Sequence, residues 1–217
     1  MIAVTFAVPD ESRDFRRRLE ASSFAGKVAV AHSGAGPAAA GRHAGRVLEG
    51  RPEMLIAAGF AGGLDRALRT ADVMVATNFS DPTLIAHARA IGGARFGALT
   101  SVDLPAESLD AKAALARDGA IAVDMETAAV SAACARAGIP LLAVRVISDP
   151  ACEPLPVPFA EWFDLERQRP RPLRLVAWLA RHPKQIAPFA RFVRGLAPAR
   201  RALADFLVRF LEHSGAS

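Results

Sequence analysis

Short apolar runs recur along the first two thirds of the chain, and each is followed by a turn signal and then by a helix-like stretch. The runs are rich in Val, Ile and Ala along their whole length, which is typical of strands in a sheet that is covered on both faces. This alternation predicts an α/β fold with a largely parallel or mixed sheet. The predicted strands lie at residues 2–8, 27–31, 54–58, 73–77, 96–100, 120–123 and 141–147, and the predicted helices at residues 12–20, 37–48 and 127–137.

The pattern changes in the last third of the chain. Four closely spaced prolines predict an irregular loop, and beyond it apolar residues recur at helical spacing among arginines. Pro183, Pro188 and Pro198 are expected to divide this stretch into short helices. We therefore predict two parts, a body of residues 1–160 and a basic amphipathic helical extension of residues 161–217.

The composition, 52% hydrophobic and 23% charged over 217 residues, excludes a disordered chain. The net charge of +5 is divided unevenly. Residues 167–217 hold eleven Arg and Lys against two Asp and Glu, whereas residues 1–166 hold sixteen against twenty. The helices of this basic stretch either pack onto the body or a partner subunit, or lie on an anionic membrane surface. We predict no binding of nucleic acid, because no recognition module accompanies the basic residues.

The cysteines, Cys134 and Cys152, lack the spacing of metal ligands and are typical of a reduced cytosolic protein. The apolar start of the chain has no basic leader, and no apolar run reaches the roughly 18 residues that a spanning helix needs. We therefore expect a cytoplasmic protein, peripheral to the inner membrane if residues 167–217 bind lipid. The five histidines also lack metal spacing, so no metal site is predicted.

Candidate chemistry follows the predicted strands, at the carboxyl ends where sites occur in such folds. Gly34, Gly36 and Ala39 match a dinucleotide-binding fingerprint, but no acid follows the next strand to hold a ribose. The same turn suits a tight bend, or a helix N-terminus that receives an anion or a hydroxyl. The strand-end segments are Pro9-Asp10-Glu11, Ser33-Gly34-Ala35-Gly36, Gly59-Phe60-Ala61-Gly62-Gly63, Asp124-Met125-Glu126 and Ser148-Asp149.

Three strand-end carboxylates, Glu11, Glu126 and Asp149, are the candidate acids and bases. Taken singly, each is explained as a solvated loop acid or a helix cap, and Asp124 is a candidate N-cap of the helix that follows it. Taken together they indicate a site, because apolar strands flank them and a carboxyl group near an apolar wall has a raised pKa. For Arg145, inside the last strand, we expect an ion pair with a strand-end carboxylate such as Glu11 or Glu126 rather than contact with a substrate.

Four motifs in order give the chain a family resemblance over roughly residues 1–150. The chain resembles the purine nucleoside phosphorylase/nucleosidase superfamily, and within it the methylthioadenosine/S-adenosylhomocysteine nucleosidases. The short body and arginine-rich tail are most similar to hopanoid-associated phosphorylases or nucleosidases, which remove adenine from adenosylhopane. The motifs are Gly59-Phe-Ala-Gly-Gly-Leu64, Ala71-Asp-Val-Met-Val75, Ala122-Val-Asp-Met-Glu-Thr-Ala-Ala-Val130 and Val144-Arg-Val-Ile-Ser-Asp149.

The resemblance implies a three-layer fold with a central mixed, largely parallel twisted sheet, and a role for each matched residue. It makes Asp149 the acid that protonates purine N7 and Ser148 the residue that orients this acid. It makes Glu126 the acceptor of hydrogen bonds from the ribose hydroxyls, with Met125 packed against the sugar. Glu11 then orients or deprotonates the attacking water. Cleavage of an N-glycosidic bond requires groups of this kind, because an oxocarbenium-like sugar is stabilised by an acid on the leaving group and a carboxylate near its other face.

The remaining implied contacts bear on the identity of the substrate. The loop at residues 101–104 lacks the aromatic residue that commonly stacks on adenine, so the sequence leaves the base open. The segment between residues 77 and 96 is shorter than usual for the family, and we expect this to open the 5′ side to a bulky apolar group. The further substrate contacts are Phe60, Gly62, Ser101, Val102 and Asp103, and the supporting residues are Gly34 and Arg145.

Glu11 favours attack by water over attack by phosphate, because a buried carboxylate repels a phosphate dianion. The candidate phosphate ligands Arg42, Arg46, Arg66 and Arg69 are better explained as exposed arginines. We thus predict a dimeric, cofactor-free enzyme of hopanoid biosynthesis that hydrolyses a purine nucleoside with a bulky 5′ substituent, such as adenosylhopane. The alternatives are a phosphate-dependent phosphorylase and a non-catalytic protein of the same fold that binds lipid or a membrane surface.

Overall fold

The computed structural model describes residues 1–214, which form a seven-stranded mixed sheet flanked by helices. A strand is present at each of the seven predicted places. The strands are β1 (Ile2–Phe6), β2 (Val28–His32), β3 (Met54–Gly63), β4 (Val73–Ala76), β5 (Arg95–Ser101), β6 (Ala120–Asp124) and β7 (Leu141–Asp149).

The sheet has the order β2-β1-β3-β6-β5-β4-β7, and β3 also pairs with β7, so that five strands close into a ring. Neighbouring strands are parallel except in the pairs β3–β6 and β4–β7. The mixed, largely parallel sheet is therefore confirmed. Gly62 pairs with Val123 of β6 and with Asp149 of β7, so the carboxyl ends of β3, β6 and β7 meet at one place.

The glycine-rich segment at residues 59–63 was predicted as a turn, and this prediction is wrong because β3 continues through it. Glycine is rare within strands and marks turns, so the sequence pattern ended the strand too early. The structure gives the reason for the glycines. A Cβ atom on Gly59 would lie 2.8 Å from Oε1 of Glu11, and one on Gly62 would lie 3.2 Å from Oδ2 of Asp149. The missing side chains let two carboxylates approach the strand.

The predicted helices at residues 37–48 and 127–137 are present, and the helix predicted at residues 12–20 begins three residues earlier. Asp10 and Glu11, predicted to lie between the first strand and this helix, are therefore in its first turn. The α-helices within residues 1–214 are α1 (Pro9–Glu20), α2 (Pro37–Glu49), α3 (Pro82–Ile91), α4 (Leu109–Ala116), α5 (Thr127–Ala137), α6 (Phe159–Trp162), α7 (Pro172–Arg181) and α8 (Ile186–Ser214).

The sequence did not predict α3 and α4. Asp81 caps α3 by accepting the N–H groups of Thr83 and Leu84, so a start signal was present. The apolar residues of α4 are mostly alanines spread around the helix, which leaves no amphipathic period to detect. Two short strands, β8 (Phe163–Asp164) and β9 (Arg169–Pro170), form a hairpin that precedes α7.

Helices cover the sheet on both faces, which makes three layers. On one face, α2 and α5 pack small side chains such as Ala40, Ala44 and Ala133 against Leu55 and Ala57 of β3. On the other face lie α1, α3 and α8. The aromatic and aliphatic side chains of this second core include Phe6, Phe15, Leu203, Phe206, Leu207 and Phe210.

The predicted breaks in the last helix are wrong, apart from the one at Pro183, where a short 3₁₀ turn precedes α8. Pro188 lies in the first turn of α8, where a proline costs no helical hydrogen bond. Pro198 lies inside the helix. Burial of the residues that follow it, from Ala199 to Leu211, against the sheet outweighs the loss of one hydrogen bond.

The second half of α8 belongs to the same core as the sheet, whereas its first half and α7 are largely exposed. The division into residues 1–160 and 161–217 stays a prediction, and residues 215–217 of the predicted extension lie outside the described residues. Among residues 1–214, none of the helices has the length and apolar content that a membrane span requires.

Candidate active site

A cavity of about 700 Å³ lies where the carboxyl ends of β3, β6 and β7 meet. Apolar and aromatic side chains from the segment after β7 and from α8 form much of its lining. The three carboxylates that the sequence singled out lie in this one cavity. All the lining carboxylates come from α1 and from the ends of β6 and β7, and they are Asp10, Glu11, Asp124, Glu126 and Asp149.

Glu11 is held at the start of α1 by three backbone N–H groups. Its Oε2 accepts from Ala7 at 2.8 Å and from Val8 at 3.1 Å, and its Oε1 accepts from Phe60 at 2.9 Å. Burial raises the pKa of Glu11, while these hydrogen bonds and the nearby Arg145 act to lower it. The result is a fixed carboxylate that is more basic than usual, as a group that takes a proton from water requires.

Glu126 lies between β6 and α5 and is almost completely buried. Its Oε1 accepts a hydrogen bond of 2.7 Å from the N–H of Gly36, whose positive φ of 87° suits a glycine. Burial raises the pKa of Glu126 to about 7, with Arg145 lowering it and Asp124 and Glu11 raising it further. The predicted Gly34–Gly36 turn thus gives its N–H to a carboxylate of the protein itself.

Asp149 ends β7 and is engaged through both carboxylate oxygens. The hydroxyl of Ser148 lies 2.5 Å from Oδ1, and Nζ of Lys112 donates to Oδ2 at 2.6 Å. Burial raises the pKa of Asp149, and the Lys112 ammonium and the Ser148 hydroxyl oppose that rise. An aspartic acid with a raised pKa is suited to donate a proton near neutral pH.

Arg145 is fully buried but does not pair with the predicted carboxylates. Its Nη2 lies 2.6 Å from Oδ2 of Asp124, and Nε and Nη2 both donate to Oγ1 of Thr127, at 3.2 and 2.8 Å. Arg145 thus pairs with a strand-end carboxylate, as expected, but this partner is Asp124 at the end of β6 and not Glu11 or Glu126. Asp124 also accepts the N–H of Thr127 at 3.1 Å, although the N-cap residue of α5 is Glu126. Arg145 joins β7 to the start of α5 behind the cavity.

The structure separates the other predicted contacts into two groups. Phe60, Gly62, Val102, Met125 and Ser148 line the cavity. Ser101 and Asp103 are not among the described lining residues. The Ser101 hydroxyl donates to Asp124 and accepts the N–H of Ala128, so this residue supports the loop before α5, and Asp103 is exposed.

Gly34 supports a different contact. Its φ is 82°, and a Cβ atom there would lie 2.7 Å from Oε1 of Gln168. Gln168 in turn accepts the N–H of Ala35 and donates to its carbonyl oxygen, which joins the turn after β2 to the β8–β9 hairpin. The glycine thus allows the hairpin to pack beside the cavity.

The sequence did not predict roles for Lys112 or for the aromatic residues that follow the proline-rich loop. Lys112 lies in the alanine-rich α4, where no motif marks it. Phe159, Trp162 and Phe163 follow the proline-rich loop, and their rings pack on one another with centroids 4.7–6.2 Å apart. Three aromatic residues within five positions of a loop were a usable signal for an apolar site.

No Lys, Arg or His is among the described residues that line the cavity. The candidate phosphate ligands Arg42, Arg46, Arg66 and Arg69 are exposed. A phosphate dianion in the cavity would therefore face several carboxylates without a lining cation, which is unfavourable.

Comparison with known proteins places this geometry in a family. Over 97% of the chain, the fold matches futalosine hydrolase of Helicobacter pylori strain 26695, with a TM-score of 0.71, 19% identity and 97% coverage of that chain. Helicobacter pylori 5′-methylthioadenosine/S-adenosyl homocysteine nucleosidase matches over 97% of both chains (TM-score 0.70, 20% identity). The Campylobacter jejuni nucleosidase of that name matches over 97% of this chain and 98% of its own (TM-score 0.68, 17% identity). These likenesses confirm the predicted fold.

A sequence model described as the phosphorylase superfamily matches residues 9–95 and 80–171, which include α1, the ring of five strands and the carboxylates of the candidate site. The match covers well over half of the chain, and it agrees with the motifs at the ends of β3, β6 and β7. The chain therefore belongs to the phosphorylase superfamily.

Proposed function

We propose that this protein hydrolyses the N-glycosidic bond of a purine nucleoside. The observation that carries the proposal is the presence of Glu11, Glu126 and Asp149 in one buried cavity, each with a raised pKa. The family and the fold support this reaction class, because the relatives of similar fold are named as a hydrolase and as nucleosidases.

In the proposed reaction, Asp149 donates its proton to N7 of the purine while the bond between C1′ and N9 breaks. The bonding electrons leave with the base, which departs neutral. The sugar carries positive charge at this point, and buried carboxylates on its other side stabilise it. Proton donation of this kind contributes about 10²–10⁴-fold to a rate.

Glu126 and Glu11 complete the reaction. As a carboxylate, Glu126 accepts hydrogen bonds from the ribose 2′ and 3′ hydroxyls, and Met125 packs beside the sugar. Water then adds to C1′, and Glu11 takes its proton. Water rather than phosphate is the proposed nucleophile because the described lining supplies carboxylates and no basic side chain.

The apolar part of the cavity favours a large apolar 5′ substituent, as in adenosylhopane. A cavity of about 700 Å³ is in the upper part of the range for ligand sites, roughly 300–1,000 Å³. A polar 5′ group would lose its hydrogen bonds to water among the apolar side chains of the lining. These apolar side chains are Leu155, Phe159, Trp162, Phe163, Phe189, Phe192, Val193 and Leu196.

The exposed surface next to this cavity suits an anionic membrane. Leu173 and Val176 on α7 are 85% and 64% exposed, and Ile186 and Val193 at the start of α8 are also exposed. Four basic side chains are exposed on the same stretch of chain: Arg181 at the end of α7, Lys184 in the 3₁₀ turn between the two helices, and Arg191 and Arg194 on α8. Each adds about 1 kcal/mol of attraction to an anionic lipid surface. Because Val193 also lines the cavity, an apolar substituent could pass from lipid into the site.

Release of free adenine tests the proposed reaction. The purified protein is expected to release adenine from adenosine derivatives with apolar 5′ groups faster than from adenosine, as followed by chromatography. Asp149→Asn is expected to lower kcat by about 10²–10⁴-fold without loss of the fold, because the amide cannot donate the proton.

Asp118→Asn is the matched control, since Asp118 is exposed and lies outside the described cavity lining. It should leave kcat unchanged. Failure of the wild-type protein to release base from any such nucleoside, or full activity of Asp149→Asn, would overturn the proposed function.

A further inference from the structure

Lys112 is a buried ammonium group in direct contact with Asp149. Its residue is 1% exposed, and Nζ donates to Oδ2 of Asp149 at 2.6 Å and to the carbonyl oxygens of Pro150 and Glu153, both at 2.8 Å. An ammonium has three protons, and here each has an acceptor. The lysine is thus held in one geometry at the end of β7.

An ion pair of this kind needs an explanation beyond stability. Burying an ammonium costs several kcal/mol, and an apolar residue of similar volume is often as stabilising as a buried pair. Lys112 could anchor α4 to the sheet without a charge. The charge has its effect on Asp149, since the two carbonyl groups that share the ammonium are neutral.

Lys112 reaches the substrate side of the site only through Asp149. Asp149 and Ser148 line the cavity, whereas Lys112 is not among the described lining residues. Ser148 lies at Oδ1 and Lys112 at Oδ2, so the two groups fix the carboxyl group from both oxygens. The other charged group that acts on Asp149 is Glu153, which raises its pKa, and Lys112 is the cation that lowers it.

We infer that Lys112 is a positioning residue that orients Asp149 and strengthens it as an acid. This inference rests on the proposed function. As the C1′–N9 bond breaks, the proton of Asp149 moves to purine N7 and the bonding electrons leave with the base. The carboxylate that remains is buried, and the Lys112 ammonium stabilises its negative charge. Lys112 keeps its own protons throughout.

Lys112→Met tests the inference through the pH profile of kcat. Loss of the ammonium makes Asp149 a weaker acid, so kcat at its optimum is expected to fall at least tenfold, but by less than the about 10²–10⁴-fold that the whole general acid contributes. The alkaline limb of the profile, which reports loss of the Asp149 proton, should move to higher pH because the neighbouring cation no longer favours the carboxylate. Lys112→Arg keeps the charge and should restore part of kcat.

Two comparisons separate this role from a structural one. Lys27→Met removes an exposed lysine and should change neither kcat nor the pH profile. In the Asp149→Asn background, Lys112→Met should cause no further loss of kcat, because it acts through Asp149. Circular dichroism and thermal unfolding show which variants are folded, and the folded Lys112→Arg protein reports on the charge if Lys112→Met unfolds.

The outcomes are distinct. If Asp149→Asn is inactive but folded Lys112→Met keeps the wild-type kcat and alkaline limb, the inference is wrong and the proposed function stands. If Lys112→Met loses activity only in proportion to its folded fraction, with an unmoved limb, Lys112 is structural. If Asp149→Asn is fully active, the proposed function itself fails.

Discussion

Glu11, Glu126 and Asp149 each have a pKa raised by burial, but a different partner opposes the rise. Glu11 has three backbone N–H groups, Asp149 has the Lys112 ammonium, and Glu126 has one N–H group and the shared influence of Arg145. Glu126 reaches a pKa of about 7, so half of the molecules carry a proton there at neutral pH. The neighbours of each carboxyl group thus set its proposed task.

The raised pKa of Glu126 predicts that the free energy of unfolding falls as pH rises. Its pKa is about 7 in the folded protein against 4.5 as the ordinary value, so folding favours the protonated form. Below pH 4.5 Glu126 is protonated in both states and its contribution to the free energy of unfolding is fully present. As pH rises through 7 this contribution is lost, and the free energy of unfolding falls by about 3 kcal/mol. Glu126→Gln should therefore be more stable than wild type at pH 8 and nearly equal at pH 4.5.

Urea unfolding at pH 4.5 and pH 8 measures this difference. The glutamine keeps an oxygen for the N–H of Gly36, so the hydrogen bond itself is preserved. The same variant should bind nucleoside more weakly at pH 8, because an amide is a poorer acceptor for the ribose hydroxyls than a carboxylate. An equal stability difference at both pH values would contradict the assigned pKa.

At the level of single residues, the sequence motifs identified site residues that lie within them and none that lie outside them. Glu11, Glu126 and Asp149 were found because strand-end motifs carry them, and the structure brings them into one cavity. Lys112 lies in no motif. Arg145 was expected to pair with a carboxylate such as Glu11 or Glu126, but its partner is Asp124. The choice among nearby acids depends on side-chain geometry, which the spacing of residues in the sequence does not give.

Among the elements, β3 connects the fold to the site most directly. Its first half pairs with β1 and its glycine-rich end pairs with β6, while β7 pairs with it from Leu55 to Gly62. The sequence pattern predicts a turn at those glycines because glycine has a low strand propensity. Strand pairing and close packing outweigh this local preference in the folded protein. Their role is to give room to Glu11 and Asp149.

Gly59→Ala tests the role of these glycines. The new Cβ would lie 2.8 Å from Oε1 of Glu11 and would also collide with the guanidinium of Arg145, and both groups are buried. We expect a loss of about 1–3 kcal/mol in the free energy of unfolding, as for overpacked cores, together with lower kcat.

Gly45→Ala is the matched control for this substitution. Gly45 lies within α2, and its Cβ would meet no atom within 4 Å. Since alanine favours helix, this change should stabilise the protein by about 0.5–1 kcal/mol. Urea unfolding of both variants decides the matter, and a Gly59→Ala protein as stable and active as Gly45→Ala would show that β3 does not need its glycine.

For the molecule as a whole, apolar runs and motif order predicted much of the architecture. All seven strands, the three layers and the mixed sheet followed from runs such as residues 141–147 and from the family resemblance. The closure of the ring did not, because β3 changes partner along its length and no local pattern records that. The continuity of α8 was also missed, since the buried contacts that hold it past Pro198 are tertiary.

The uneven charge of the molecule predicts binding to anionic vesicles. Changing Arg181, Lys184, Arg191 and Arg194 to glutamine should remove about 4 kcal/mol of attraction, which is roughly a thousandfold in affinity. Flotation with vesicles that contain phosphatidylserine measures the change. The control changes Arg42, Arg46, Arg51 and Arg136, four exposed arginines on or next to α2 and α5, which pack on the face of the sheet opposite to α8, and should bind as wild type does. Equal binding by both variants would remove the proposed membrane surface.

The central claim is that the carboxylates of this cavity direct water to C1′ of a purine nucleoside. The most direct measurement is a reaction in ¹⁸O-labelled water that also contains phosphate, with mass spectrometry of the sugar product. Hydrolysis by water is expected to give free adenine and a sugar that carries one ¹⁸O atom at C1′. A sugar 1-phosphate without the label, or an intact nucleoside, would contradict it.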